Sequence, residues 1–256
     1  MIDILKKKLN DDEVAFGTFV KVNSPAIVEM LGLAGFDFII IDSEHSSFSY
    51  LEAENLVRAA DGVGMSSIIR IPSAKEEHIQ HALDSGAGGI QVPGLSTVEE
   101  VKAFLPFTKY YPYGTRGLSF AQRSANYGLV DTSNYVKTSN EGTTVVVHIE
   151  NKEMAEKVDE LCQIPEVDVL FVGPADMSQS MGKPGAMNDP EVVALIEKVF
   201  SKAAQYNKKV GIFVGAEAGL EKYIKLGAKY IAWKSDIAMF ANIAKDADKL
   251  FAKYKK

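Results

Sequence analysis

Four carboxylates, two histidines and one arginine in this chain each stand at or just after the end of a short apolar run, where side chains of different segments can meet. Asp42, Glu44 and His45 follow Phe36 to Ile41; Arg70 follows Ser67 to Ile69; His148 and Glu150 close Thr144 to Ile149; Asp176 follows Val167 to Val172 through Gly173, Pro174 and Ala175. If the runs carrying Glu150 and Asp176 are neighbouring strands, about 5 Å apart, their carboxylates converge on one hard cation. Two oxygen ligands leave positions for water and substrate. That suits Mg²⁺ or Mn²⁺, with Co²⁺ also admissible, better than Zn²⁺, which prefers Cys or more His. The structural alternative for Glu150 is a salt bridge to Lys152.

The chain after Asp176 reads as a helix, so Ala175 and Asp176 would expose main-chain N–H groups at its start, where a carboxylate is welcome. A 2-oxo acid fits such a place, its carboxylate on those amides. Arg70 would then be a second anion contact, balancing charge that develops on an enolate oxygen; its structural alternative is an ion pair with Asp42 or Glu44. His45 lies three residues after Asp42, so the carboxylate could orient its ring and raise its basicity for proton transfer near neutral pH. Schiff-base chemistry would need a desolvated lysine inside the fold. Only Lys21 and Lys234 stand near run ends, which leaves a metal as the expected electron sink. His78 and His81 fall within a helical pattern and read as a solvated face.

The elements that must position these groups are eight short runs: Val14 to Val20, Phe36 to Asp42, Ser67 to Ile71, Gly89 to Val92, Thr144 to Glu150, Val167 to Gly173, Lys209 to Val214 and Lys229 to Trp233. Most are continuously apolar, as parallel strands covered on both faces must be, and helical patterns separate them. Eight such units predict one (β/α)8 TIM barrel over residues 1–256, whose chemistry belongs at the carboxyl ends of the strands. Asn23-Ser-Pro25 and Ser96-Thr-Val-Glu-Glu100 mark helix starts; Gly35, Gly86 and Gly227 mark helix ends. About forty residues between Phe104 and Thr144 break the rhythm, and the segment from about 107 to 143 is expected to be a partly ordered lid. A last helix is expected at about 235–254, packing outside the barrel or on another subunit.

Composition narrows the partners. A net charge of -6 offers no footprint for nucleic acid, whose binding rests on cations. Lys109 to Arg116, with Arg123 and Tyr127, interleaves cations and aromatics, and reads better as a loop over a small anion. No apolar run approaches the roughly 20 residues of a membrane span, and the start lacks a secretory pattern, so a cytoplasmic protein is expected. The single cysteine, Cys162, reads as a buried helix residue.

The residues resemble the HpcH/HpaI aldolase/citrate lyase family, specifically its class II 2-oxo acid (pyruvate) aldolases. The resemblance runs from about Phe16 to the last helix and is carried by Ala34-Gly-Phe-Asp-Phe-Ile-Ile-Ile-Asp-Ser-Glu-His45, Ile69-Arg-Ile-Pro72, Gly114-Thr-Arg-Gly117, Ile149-Glu150 and Phe171-Val-Gly-Pro-Ala-Asp-Met-Ser178. It implies that Glu150 and Asp176 hold the divalent metal, that Arg70 contacts the pyruvyl group, and that His45 with Asp42 relays the proton of the aldol hydroxyl. It also implies a hexamer, a trimer of dimers with exchanged C-terminal helices. This sequence departs from the family pattern at Ser43, where Gly is usual, and at His148, where Gln is usual; His148 could reshape the pyruvyl pocket or add a ligand. The activity expected is reversible cleavage of a 4-hydroxy-2-oxo acid to pyruvate and an aldehyde. The rivals are an acyl-CoA lyase of the same superfamily, with Arg116, Arg123 and Lys109 on the CoA phosphates, and a barrel that binds metal or anion without turnover.

Overall fold

Continuous β-branched and apolar runs cannot leave either face in water, and in this chain neither face is. The computed structural model describes residues 3–255. Its strands are β1 (Ala15–Val20), β2 (Phe38–Asp42), β3 (Ser66–Arg70), β4 (Gly89–Val92), β5 (Thr144–Ile149), β6 (Val169–Val172), β7 (Lys209–Val214) and β8 (Tyr230–Ser235). Each pairs in parallel with the next, and β8 pairs with β1, closing the barrel. All eight expected runs are strands, with ends displaced by a few residues. Buried side chains fall into two large clusters, one between the barrel and its helices and one inside the barrel. The inner cluster contains Phe19, Phe38, Ile40, Val146, Phe171 and Tyr230. The helix Ile4–Asn10 contributes Leu5 and Leu9 to it and so stoppers the amino-terminal end.

The expected helix punctuation is present. Ser24 caps the helix Pro25–Leu33 with Pro25 at its first position, and Thr97 and Glu100 form a capping box on Val98–Phe104. Inside the barrel, His148, Phe171, Gly211 and Tyr230 share one register row across β5 to β8. A Cβ on Gly211 would lie 2.8 Å from the Tyr230 ring and 3.0 Å from Phe171, so only glycine there leaves room for the tyrosine.

The long insertion requires a correction. Residues 107–143 contain a helix, Thr132–Gly142, but within this chain the segment packs toward the amino-terminal end of the barrel and does not form a lid over the mouth. Lys109 Nζ donates to Asn140 O at 2.5 Å, beside the start of β5. Arg116 pairs with Asp84 at 2.7 Å, and Arg123 donates to Ser85 O at 2.8 Å and pairs with Asp61. Those partners lie at the carboxyl ends of helices, which in a parallel barrel is the end opposite the catalytic mouth. The final helix, Asp236–Ala252, lies outside the barrel, where expected, and Asp236 accepts the main-chain N–H groups of Lys21 and Val22 at the mouth of β1.

Candidate active site

The site begins with a buried carboxylate. Asp42 ends β2 with no exposed surface, and β3 sets Arg70 directly beside it in register. Arg70 Nε and Nη2 donate to the two Asp42 oxygens at 2.9 and 2.6 Å, and Lys21, just past β1, also pairs with Asp42. Burial alone would raise the Asp42 carboxyl. The hydrogen bonds and charge of Arg70, joined by Lys21, outweigh it and hold the group at about 2. The Arg70 guanidinium also lies over the Phe19 ring, 4.8 Å from its centre. Its Nη1 stands 2.8 Å from Glu44 Oε2, a pairing without the angle of a directed hydrogen bond. Burial pushes the Glu44 carboxyl up, and neighbouring Glu150 adds to that, against the pull of Arg70.

His45 differs from expectation. Asp42 Oδ1 accepts the main-chain N–H groups of Glu44 and His45 at 3.3 and 3.2 Å, so it fixes the turn that presents His45 and does not hold the ring. The ring is exposed at the mouth, with Nε2 3.7 Å from Glu44 Oε2. The carboxylate that was expected to orient it is already saturated by two cations.

Glu150 is held from both sides. Gly94 N–H donates to Oε1 at 2.5 Å, and His148 Nδ1 lies 2.6 Å from Oε2. Lys152 pairs instead with Glu156, so the expected structural alternative for Glu150 is not the one adopted. Burial would raise the Glu150 carboxyl, but the hydrogen bond from His148, joined by that from Gly94 and the charge of Arg70, brings it below the ordinary value. The other ring nitrogen of His148 lies 2.6 Å from Gln91 Nε2, and Gln91 Oε1 accepts from Tyr230 at 2.8 Å. With both nitrogens engaged, His148 supports Glu150 and offers no free atom to a substrate, which corrects the expectation that it lines the pyruvyl pocket.

Asp176 stands at the third position of the helix Pro174–Ser180, exposed above β6. A Cβ built on Gly173 would lie 3.7 Å from Asp176 Oδ2 and 3.8 Å from Glu150 Oε2, so the two carboxylates border the same space beside Gly173. Two hard oxygens bordering one space are donors of the kind Mg²⁺ or Mn²⁺ takes. Among the described residues no cluster of three or more His, Cys, Asp or Glu forms a protein cage for a metal. His78 and His81 do not converge: His78 bonds Ser73, and His81 stacks on Tyr50 at 4.0 Å. Neither expected Schiff-base substitute is a desolvated free amine, since Lys21 pairs with Asp42 and Lys234 lies over Trp233. Cys162 is buried as expected, its thiol pushed up to about 11 by burial. Sequence reasoning missed Gln91, Tyr230, Gly94 and Phe19. Gln91 alone carried a signal, as an amide inside an apolar strand that must find buried partners.

A closed parallel barrel with carboxylates and a buried Arg–Asp pair gathered at the carboxyl ends of its strands defines a class, the TIM-barrel enzymes. Within it, the chain belongs to the HpcH/HpaI aldolase/citrate lyase family, whose model matches residues 15–243. A 5-keto-4-deoxy-D-glucarate aldolase from Shigella boydii is 30% identical over 248 residues, covering 97% of this chain and 96% of that protein. Among solved structures, an HpcH/HpaI aldolase from Desulfitobacterium hafniense is 29% identical with a TM-score of 0.93, covering 98% of this chain and 97% of that one. The citrate synthase SbnG is 25% identical with a TM-score of 0.89, covering 98% and 99%.

Proposed function

We propose that this chain is a divalent-metal-dependent aldolase that reversibly cleaves a 4-hydroxy-2-oxo acid to pyruvate and an aldehyde. The observation that carries this reading is that Glu150 Oε2 and Asp176 Oδ2 border the same space beside Gly173, at the end of the barrel where Arg70 stands. The relatives support the aldolase class: they include 5-keto-4-deoxy-D-glucarate aldolases.

Glu150 and Asp176 would hold Mg²⁺ or Mn²⁺, which when bound supplies a Lewis acid toward the keto oxygen. The protein does the rest. The main-chain N–H groups of Ala175 and Asp176 receive the substrate carboxylate. Arg70 keeps N–H donors beyond those given to Asp42, and its poorly angled contact with Glu44 is the one a substrate oxygen displaces. His45, exposed at the mouth, takes the hydroxyl proton; the carbon–carbon bond breaks, the aldehyde leaves, and Arg70 balances the charge of the pyruvate enolate until its methylene carbon takes a proton. Asp42 holds Arg70 in the plane this requires.

The test is solvent deuterium exchange into the methyl group of pyruvate, which reads enolisation without knowledge of the aldehyde. Exchange should need Mn²⁺ or Mg²⁺, stop with EDTA, and fall at least about 100-fold in Glu150→Ala and Asp176→Ala while circular dichroism stays unchanged. Exchange that survives EDTA, or a lysine adduct trapped by borohydride, would end the reading. Metal and pyruvate uptake without exchange would leave a barrel that only binds. The acyl-CoA alternative loses its basic groove, because Arg116, Arg123 and Lys109 are all engaged by protein groups away from the mouth.

We also infer a hexameric assembly, a trimer of dimers. Ile237, Phe240, Ile243, Leu250 and Phe251 are exposed on the final helix, a surface that a second copy would cover.

A further inference from the structure

Three buried side chains on three different strands connect Glu150 to the centre of the barrel. Tyr230 on β8 and Gln91 on β4 have no exposed surface, and His148 on β5 is 2% exposed. Bulk water does not reach them, and each finds its partners within the chain of hydrogen bonds, so its protons are placed among these groups.

Only one placement satisfies them all with a neutral imidazole. Tyr230 donates its hydroxyl proton to Gln91 Oε1 at 2.8 Å. The Gln91 amide nitrogen then faces His148 Nε2 at 2.6 Å and must donate to it, so Nε2 carries no proton. The proton resides on Nδ1, which donates to Glu150 Oε2 at 2.6 Å. Turning the Gln91 amide over would make Tyr230 the acceptor and strand its hydroxyl proton in the core. It would also put the proton on Nε2, leaving a neutral ring with a lone pair aimed at the Glu150 carboxylate. Both faults are costly where nothing else can pair.

We propose that Tyr230 and Gln91 are positioning residues: they lock His148 as its Nδ1–H tautomer and thereby aim the Glu150 carboxylate at the point it shares with Asp176. The inference rests on the reading of Glu150 as a metal ligand for its consequence, though the tautomer itself does not depend on it. Aromatic packing prepares the first donor, since the Tyr230 ring lies 4.2 Å from Phe38 and meets Phe171 edge-on at 5.7 Å. His148 packs on the same Phe171 at 5.0 Å. Partners that orient a ligand in this way typically change metal affinity about 10–100-fold when removed.

The test uses the full-length protein labelled with ¹⁵N-histidine. Its four histidines are few enough for His148 to be assigned by its loss in His148→Asn. Wild type should show His148 with its proton on Nδ1 and an accepting Nε2. Gln91→Glu, which only accepts hydrogen bonds when ionised, should move a proton to Nε2. Tyr230→Phe, which keeps the ring and removes the hydroxyl, should replace the single tautomer by a mixture. Both variants should weaken Mn²⁺ binding, read from the free Mn²⁺ signal in electron paramagnetic resonance, by about 10-fold or more. A merely structural tyrosine would lower the melting temperature and leave the tautomer and Mn²⁺ affinity as they were. Wild-type His148 with its proton on Nε2, or variants with unchanged nitrogen spectra and Mn²⁺ affinity, would overturn the proposal. Should Gln91→Glu not fold, Tyr230→Phe decides by the same two readouts. Wild type with the stated tautomer but no Mn²⁺ uptake would instead overturn the metal reading of Glu150 and leave the hydrogen-bonded chain standing.

Discussion

Asp42 shows how one residue sets both stability and chemistry. Its folded value of about 2 lies below the ordinary carboxylate value, so its contribution is present above about pH 4 and is lost as pH falls toward 2. The shift corresponds to about 2 kcal/mol. Unfolding free energy measured against pH should therefore drop across that window in wild type, and the drop should be shallower in Asp42→Asn. The same variant should be destabilised by about 3–5 kcal/mol at neutral pH, because Arg70 keeps its charge in a buried place with its bidentate partner gone. Asp42, Arg70, Glu150 and Asp176 were all legible as a constellation, since each charged residue ends a strand-like run and strand ends share one rim. The partners within the rim were not. Nothing in the spacing of Asp42 and His45 reveals that two cations will claim the carboxylate first, and nothing in the alternation of β8 distinguishes a tyrosine that packs from one that also donates.

At the scale of elements, the turn between β6 and the helix Pro174–Ser180 carries the sharpest test. Gly173 has a φ of -100°, which any residue adopts, so alanine is conformationally acceptable there. Its methyl would nevertheless sit 3.3 Å from Glu150 Cβ and within 4 Å of an oxygen of each carboxylate. Gly173→Ala should fold with a melting temperature within a few degrees of wild type and lose Mn²⁺ affinity by about 10-fold or more, as titration would show. Retained affinity would mean that the cation does not bind beside this turn. The strands themselves were readable from their unbroken apolar runs, and capping residues marked several helix ends. The segment 107–143 was readable as an insertion but not in its placement. Its arginines found Asp84 and Asp61, acidic residues of helices, and sequence order says nothing about which end of a barrel such a loop will reach.

At the scale of the molecule, the final helix presents a surface that the barrel does not use. Phe240 and Ile243 are 75% and 70% exposed, more than an isolated chain gains from keeping in water. Replacing both by glutamate should convert the assembly to smaller species by light scattering, with the barrel's circular dichroism retained. An unchanged mass would show that this helix is not the contact. The helix was legible as terminal and as lying outside the barrel or on another subunit, whereas what covers it leaves no mark within one copy beyond its exposed apolar residues.

The strand that supplies Tyr230 is the last to be synthesised and the one that closes the ring against β1. Until it docks, Gln91 has no hydroxyl to hold its amide, so His148 lacks a reason to prefer either tautomer. Ring closure and readiness of the centre are thus a single event in the life of the molecule. A chain truncated before β8 would carry both carboxylates and Arg70 yet lack the hydroxyl that, on this proposal, settles His148 and through it the aim of Glu150.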